Sequence, residues 1–347
     1  MSITIVGAGA IGGTVGAFLA RAGYAVTLCD TDAAHVAAIN ARGISIHGAT
    51  EAFTVVAPAL TPDQLHGPLD IVLLAVKAQH TSAALAQIAP LLAPSGVIVS
   101  LQNGFNEQTI ADAVGPERTI GCLVNFSADY IEPGQIHYGG PGALEIGELD
   151  GRITPRLEQL RAVLASCGEI KLTDNIWGYI WGKIGYGNML YATALADASM
   201  ADVIDRYRRV MVELATEVYA VADQLGIQPA AFDGVEPGLY YPRARRDWAA
   251  IHRSLDALVA RRQRDQKQRS GIWRDLFVRH RHTEVDDQLG LVLHHGQALG
   301  LALPLTRQVV ATIHDLEAGR ATSDWAHLAA LERLRQIHEP QAAGDRS

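Results

Sequence analysis

The chain opens on an apolar strand, Ser2-Ile3-Thr4-Ile5-Val6, that breaks at once into Gly7-Ala8-Gly9-Ala10-Ile11-Gly12 with a helical pattern behind it. In such a turn the first glycine permits the tight bend, the second lets backbone approach a pyrophosphate, and the third lets the helix pack closely on the strand. The unpaired N–H groups at the helix start then face the phosphates. A second strand, Ala25-Val26-Thr27-Leu28-Cys29, ends at Asp30, close to the offset of about 20 residues expected of an acid that binds an adenosine ribose. Glycine turn and acid agree in register, and together they predict a dinucleotide pocket held by Gly7, Ala8, Gly9, Ala10, Ile11, Gly12 and Asp30.

Asp30 also bears on which dinucleotide binds. A carboxylate accepts hydrogen bonds from the 2′- and 3′-hydroxyls of NAD and repels the 2′-phosphate of NADP. Asp32 adds a second negative charge, and where an NADP site would place an Arg or Lys the segment Asp30-Thr31-Asp32-Ala33-Ala34-His35 offers only a histidine. NAD is the expected cofactor, with NADP disfavoured. The competing reading is that Asp30 merely caps the next helix, a role aspartate fills well.

With 347 residues and a formal net charge of −8, the chain suits two domains and has no general attraction to nucleic acid or anionic membranes. A small-molecule substrate fits better. Cys29, Cys122 and Cys167 lie far apart, without a C-x-x-C pair or a histidine at ligand spacing, so neither disulfides nor a metal site are expected. The chain begins directly on a strand and carries no apolar run of bilayer length; a cytoplasmic protein is expected.

From Met1 to about Gly168, apolar runs alternate with helical segments, the pattern of a mostly parallel sheet covered on both faces. Asp70 to Val76, Gly96 to Leu101 and Thr119 to Val124 read as further buried strands, Arg156 to Ala165 as a helix, and Glu169 to Leu172 as a short last strand. Beyond that the alternation stops and long apolar-periodic segments take over. The expected architecture is therefore α/β, a doubly wound Rossmann domain over residues 1–170, then an all-helical domain over 171–340 and a frayed tail, 341–347. Arg243 to Arg269 carries nine basic residues against three acidic ones, which reads as a solvated helix face or an anion site.

A nicotinamide enzyme must set its cofactor against a carbonyl carbon and protonate or polarise the oxygen. Polar groups at the sheet's C-terminal edge are the place to look. Lys77 follows the strand ending at Val76, and Leu101-Gln102-Asn103-Gly104 follows the next. The second domain supplies Trp181-Gly182-Lys183-Ile184-Gly185-Tyr186-Gly187-Asn188 in an otherwise apolar segment, then Arg281-His282-Thr283-Glu284-Val285-Asp286 with Gly290. A lysine in such surroundings is costly unless paired or functional. From spacing alone, Lys183 and Glu284 serve equally as a structural ion pair or as chemistry.

Taken together, these segments resemble the ketopantoate reductase (2-dehydropantoate 2-reductase) family nearly end to end. The resemblance rests on the glycine turn, Val76-Lys77, Leu101 to Gly104, Trp181-x-Lys183, and Thr283 to Asp286 with Gly290. It implies a Rossmann domain plus a helical domain of the 6-phosphogluconate-dehydrogenase type, with substrate and nicotinamide in the cleft between them, and a homodimer. It implies that Lys183 is the general acid for the carbonyl oxygen and that Glu284 binds the substrate hydroxyl, with Lys77 and Asn103 beside the cofactor. An ammonium desolvated in a cleft suits that role, since burial makes it a readier proton donor.

The chain also departs from the family. Members typically carry asparagines four and eight residues after the lysine, on one helical face; here those positions hold Gly187 and Tyr191. Asn188 replaces the first asparagine only if the helix is locally distorted, and it is the candidate substrate contact on that condition. In Arg269-Ser270-Gly271-Ile272-Trp273-Arg274-Asp275 the serine that normally meets the substrate carboxylate falls at Gly271 by distance from Asp275. Ser270 is the nearest candidate, and Arg274, Arg279 or Arg281 could compensate. Asp30 is a third departure, because the best-known members use NADPH. The expectation is an NAD(H)-dependent oxidoreductase for a 2-oxo or hydroxy acid or a related hydroxy-carbonyl compound. A catabolic dehydrogenase of another secondary alcohol and a silent NADH-binding sensor are the alternatives.

Overall fold

The computed structural model describes residues 2–48, 50–264 and 267–338; the expected frayed tail lies outside them. The chain divides into two compact units, Met1–Ile180 and Trp181–Ser347.

Among the described residues the first unit contains twelve strands. They are β1 (Ile3–Val6), β2 (Val26–Cys29), β3 (Ile44–His47), β4 (Phe53–Val55), β5 (Ala59–Leu60), β6 (Leu69–Leu74), β7 (Leu92–Ser100), β8 (Thr119–Val124), β9 (Ala128–Glu132), β10 (Gln135–Tyr138), β11 (Leu144–Glu148) and β12 (Ile170–Leu172). Eight of them form one sheet in the order β12-β11-β8-β7-β6-β1-β2-β5. Every neighbouring pair in it is parallel except β8 with β11. The central order is that of a doubly wound dinucleotide-binding sheet, whose strand order reverses between β1 and β6 while the strands stay parallel.

Alternate residues of the central strands enter different cores. Ile3, Ile5, Ile71, Leu73, Val97 and Val99 belong to one, whereas Val6, Val72, Leu74 and Ile98 belong to another. A strand buried on both faces has no polar alternation to show, which is why these runs were readable as continuous apolar stretches. Helices α1 (Ala10–Arg21), α2 (Ala33–Arg42), α3 (Thr81–Ile88), α4 (Asn106–Val114) and α5 (Pro155–Leu164) complete the unit. A second sheet, β4-β3-β10-β9, and the antiparallel β11 were not expected from the sequence.

Helix α6 (Ile176–Thr193) runs through the division between the units, and α7 (Met200–Arg206), α8 (Arg208–Gln224), α9 (Pro237–Tyr240), α10 (Trp248–Arg264), α11 (Gly271–Phe277), α12 (Leu291–Ala298), α13 (Pro304–Glu317) and α14 (Trp325–His338) follow. No helix among the described residues is long and apolar enough to cross a membrane. The three cysteines are buried and unbridged.

Candidate active site

In the first unit, four chemistry-bearing segments leave neighbouring parallel strands at one edge. Asn103 follows β7, Lys77 follows β6, the glycine turn follows β1 and Asp30 follows β2. Since adjacent strands lie about 4.8 Å apart, the four span the length of an extended dinucleotide. Gly7 has φ +92°, and a Cβ there would sit 2.7 Å from the Val76 nitrogen. A Cβ on Gly12 would sit 2.1 Å from the Gly7 carbonyl oxygen. Gly9 is different: nothing lies within 4 Å of where its Cβ would be. The turn is therefore crowded on its inner side and open at the start of α1, the cradle a pyrophosphate needs.

Asp30 does not cap α2. That work falls to Asp32, whose Oδ1 accepts from the N–H groups of Ala34 (3.0 Å) and His35 (3.2 Å). Asp30 Oδ1 accepts from Asp32 N–H at 3.0 Å, and its other oxygen has no hydrogen-bond partner among the described residues. His35, 1% exposed, is held inward. Gly134 N–H donates to its Nδ1 (2.9 Å), so the ring proton sits on Nε2 and donates to the Ala8 carbonyl at 2.9 Å. The histidine is thus neutral and pins the glycine turn. Below Asp30, burial followed by the Asp30 and Asp63 carboxylates pushes the Cys29 thiol up to about 11.

Lys77 and Asn103 are tied to the same edge by a buried relay. The Gln102 side-chain amide donates to the Val76 carbonyl (2.8 Å) and to Thr81 Oγ1 (2.7 Å). Thr81 donates on to Asn106 Oδ1 (2.9 Å), and Asn106 Nδ2 donates to the Asn103 carbonyl (2.8 Å). Lys77 is half-buried and Asn103 exposed.

In the second unit, α6 is apolar nearly all round, as a helix with neighbours on most sides must be. Lys183, Gly187 and Leu190 form its half-buried stripe between buried residues. Two of its glycines serve close packing: a Cβ on Gly182 would meet the Ala230 carbonyl oxygen at 2.5 Å, and one on Gly185 the Tyr219 ring at 2.2 Å. Gly187 faces open space, with only Gln288 Oε1 at 3.9 Å.

Because α6 stays α-helical, Asn188 points about 140° away from Lys183. It is fully buried, and its amide donates to the Leu214 carbonyl and to Thr306 Oγ1, both at 2.9 Å. Asn188 is therefore a core residue, which corrects its assignment as a substrate contact. Tyr191 is also buried; burial, then the carboxylates led by Glu284, push its phenol well above the ordinary value. Its hydroxyl thus lies in the field of the Glu284 segment.

That segment is clamped by α13. Glu317 Oε1 accepts from both the N–H and the hydroxyl of Thr283 at 2.7 Å, and His314 Nε2 meets Asp286 Oδ1 at 3.0 Å. Glu284, 6% exposed, leads into a π-helical turn, Asp286–Gly290, a geometry frequent at functional sites. Ser270 caps α11 by accepting from Trp273 N–H at 3.2 Å and is buried. Arg279 and Arg281 are spent on the buried Asp275, at 3.3 and 2.8 Å.

Comparison with known proteins decides the family. The model "Ketopantoate reductase PanE/ApbA" matches residues 3–151 and its C-terminal counterpart residues 175–317. The chain belongs to the ketopantoate reductase family. It is 32% identical over 255 residues to the 2-dehydropantoate 2-reductase of Mesorhizobium japonicum, covering 66% of this chain and 78% of that one. The ketopantoate reductase structure from Ralstonia eutropha superposes with TM-score 0.76 at 26% identity, over 92% of this chain and 99% of that one. D-mandelate dehydrogenase, solved with NADH and anilino(oxo)acetate, shares the fold at TM-score 0.79 and 22% identity, with the same coverage.

As a ketopantoate reductase family member, the protein is a nicotinamide-dependent oxidoreductase acting on CH–OH groups. Against that background the basic segment loses its anion-site reading over much of its length. Arg243 and Arg246 hold the buried Glu213, Arg262 donates to the Tyr186 hydroxyl (3.0 Å), and Arg269 pairs with Asp197 (2.8 Å). Several residues that shape the site escaped the sequence reading, namely His35 as an anchor, Thr81, Asn106, Gln288, His314 and Glu317. Each acts through a contact distant in sequence, and no local pattern marks it.

Proposed function

We propose that the protein is an NAD(H)-dependent oxidoreductase of the ketopantoate reductase type that interconverts a 2-oxo acid, or a related hydroxy-carbonyl compound, and its alcohol. The observation that carries the cofactor choice is Asp30, with one carboxylate oxygen unclaimed and no ion pair among the described residues. A unit charge pair about 4 Å apart is worth roughly 1 to 4 kcal/mol between the limits of water and a protein surface, so a 2′-phosphate there is disfavoured at least several-fold. His35 brings no relief, because its Nδ1 accepts a backbone hydrogen bond. The fold itself accommodates NADH in D-mandelate dehydrogenase.

Gly7 to Gly12 would hold the pyrophosphate, Asp30 the adenosine ribose, and Lys77 and Asn103 the nicotinamide end. When bound, the cofactor supplies or accepts the hydride. Lys183 then gives its proton to the carbonyl oxygen in reduction, or takes the alcohol proton in oxidation. Glu284 accepts a hydrogen bond from a substrate hydroxyl and fixes the carbonyl relative to Lys183. The open space at Gly187 supports a substrate other than ketopantoate. A homodimer in the cytoplasm is part of the same reading, supported by the family resemblance.

A tryptophan-quenching titration with NADH and NADPH, followed by assays with ketopantoate and a panel of 2-oxo and 2-hydroxy acids, tests this. NADH should bind more tightly and ketopantoate should turn over poorly. Tighter NADPH binding with efficient ketopantoate reduction would overturn the cofactor and substrate assignments together. Lys183→Ala should reduce kcat by at least about 100-fold while leaving NADH binding intact; a wild type inactive on the whole panel would favour the sensor alternative.

A further inference from the structure

A neutral imidazole donates from one ring nitrogen and accepts at the other, and His35 uses both on backbone. Nδ1 accepts from the N–H of Gly134, in the connection between β9 and β10, and Nε2–H donates to the carbonyl of Ala8 in the glycine turn, each at 2.9 Å. The ring is held in place from further sides. Tyr130 of β9 meets it edge-on, with ring centroids 5.1 Å apart at 63°, and Asp32 Oδ1 accepts from the backbone N–H of His35 at 3.2 Å. The Ala8 carbonyl shares its peptide group with the N–H of Gly9. That peptide is trans, and in a planar trans peptide C=O and N–H point opposite ways. With the carbonyl turned inward to the buried ring, the Gly9 N–H points away from it. Gly9 is half-buried, nothing lies within 4 Å of its Cβ position, and its N–H donates to no backbone carbonyl among the described residues. Half a turn of the same peptide would bring a carbonyl oxygen round instead, which repels a phosphate.

We infer that His35 is a positioning residue for the pyrophosphate of the dinucleotide: its Nε2–H holds the Ala8 carbonyl inward and so keeps the Gly9 N–H turned outward as a phosphate donor at the start of α1. Because Gly134 fixes the other ring nitrogen, the second sheet takes part in nucleotide binding through this one side chain. This rests on the proposed role of Gly7 to Gly12 as the pyrophosphate cradle.

The test is a calorimetric titration of wild type, His35→Gln and His35→Asn with ADP-ribose, which carries the pyrophosphate and the adenosine ribose without the nicotinamide. The carboxamide of glutamine reaches the place of Nε2 and keeps a donor for Ala8, whereas that of asparagine reaches the place of Nδ1 and keeps only an acceptor for Gly134. Each variant leaves one buried backbone group unpaired, so a merely structural role predicts similar losses of thermal stability and affinity in both. Positioning predicts a split, with His35→Gln within about twofold of wild type and His35→Asn weaker by about tenfold or more, the scale of one lost hydrogen bond to a charged group. A second readout needs no variant to fold: in NMR spectra of wild type labelled at histidine, the Nε2 proton of His35 should exchange slowly and its resonance should shift when ADP-ribose is added. Equal affinities of the two variants, or an Nε2 proton that bound ADP-ribose leaves unmoved, overturns this inference alone. A wild type that binds no ADP-ribose overturns the proposed cradle and this inference with it.

Discussion

The carboxylate of Asp30 meets a ribose or a phosphate with opposite results, because an acceptor-only group gains from two hydroxyls and is repelled by a dianion. Asp30→Asn keeps an acceptor and removes the charge. A hydrogen bond to a charged group is worth about 1 kcal/mol more than a neutral one, so NADH affinity should fall several-fold. NADPH affinity should rise as the repulsion disappears, moving the affinity ratio at least about tenfold. Fluorescence titration of both cofactors measures it, and an unchanged ratio would show that Asp30 does not face the 2′ position. Asp30 was legible from its place after β2, whereas the capping role of Asp32 was not, since both aspartates suit a helix start. Asn188 shows the opposite limit. Three glycines in six residues suggested a distorted helix, yet two of them admit Ala230 and Tyr219, and the helix keeps its phase.

At the scale of elements, burial decided what could be read. The central strands of the large sheet are mostly apolar and largely buried, and their apolar runs stand out from the sequence. The strands of the second sheet are short, and Phe53–Val55 is only partly buried. In that sheet β3 pairs in parallel with β10, some ninety positions away, and no local periodicity announces such a pairing. The clamp of α13 on the Glu284 segment is equally non-local. Glu317 receives two hydrogen bonds from Thr283, so Glu317→Ala strands a backbone N–H and releases the approach to Glu284. Amide exchange should accelerate across residues 282–290, and kcat/KM should fall by about 10-fold or more, the scale of one lost positioning contact of 1–3 kcal/mol. NADH affinity should stay as it was. Unchanged exchange in that segment would mean that Glu284 is held by other contacts.

For the whole molecule, two buried carboxyls of the helical unit, Glu213 and Glu217, are shifted from the ordinary value. Burial raises the carboxyl of Glu213, but Arg246 and Arg243 outweigh it and leave the group below its ordinary value. Glu217, buried at the start of α13, goes the other way: burial outweighs the hydrogen bonds from Thr306 and Leu305 and raises it. The signs therefore oppose. Glu213 contributes stability that is present above the unfolded carboxyl value of about 4.3 and is lost as pH falls through its lower folded value. The contribution of Glu217 is fully present below that unfolded value and is lost as pH rises through its higher folded value. Glu213→Gln should cost about 3–5 kcal/mol near neutrality, because Arg246 is left buried without its charge partner. The acid limb below about pH 4.3 should also become shallower, since the group that titrates there is gone. Urea unfolding at a series of pH values between neutrality and pH 3 measures both effects. A neutral-pH loss with an unchanged acid slope would assign the acid sensitivity to other carboxylates and leave Glu213 as a packing partner alone.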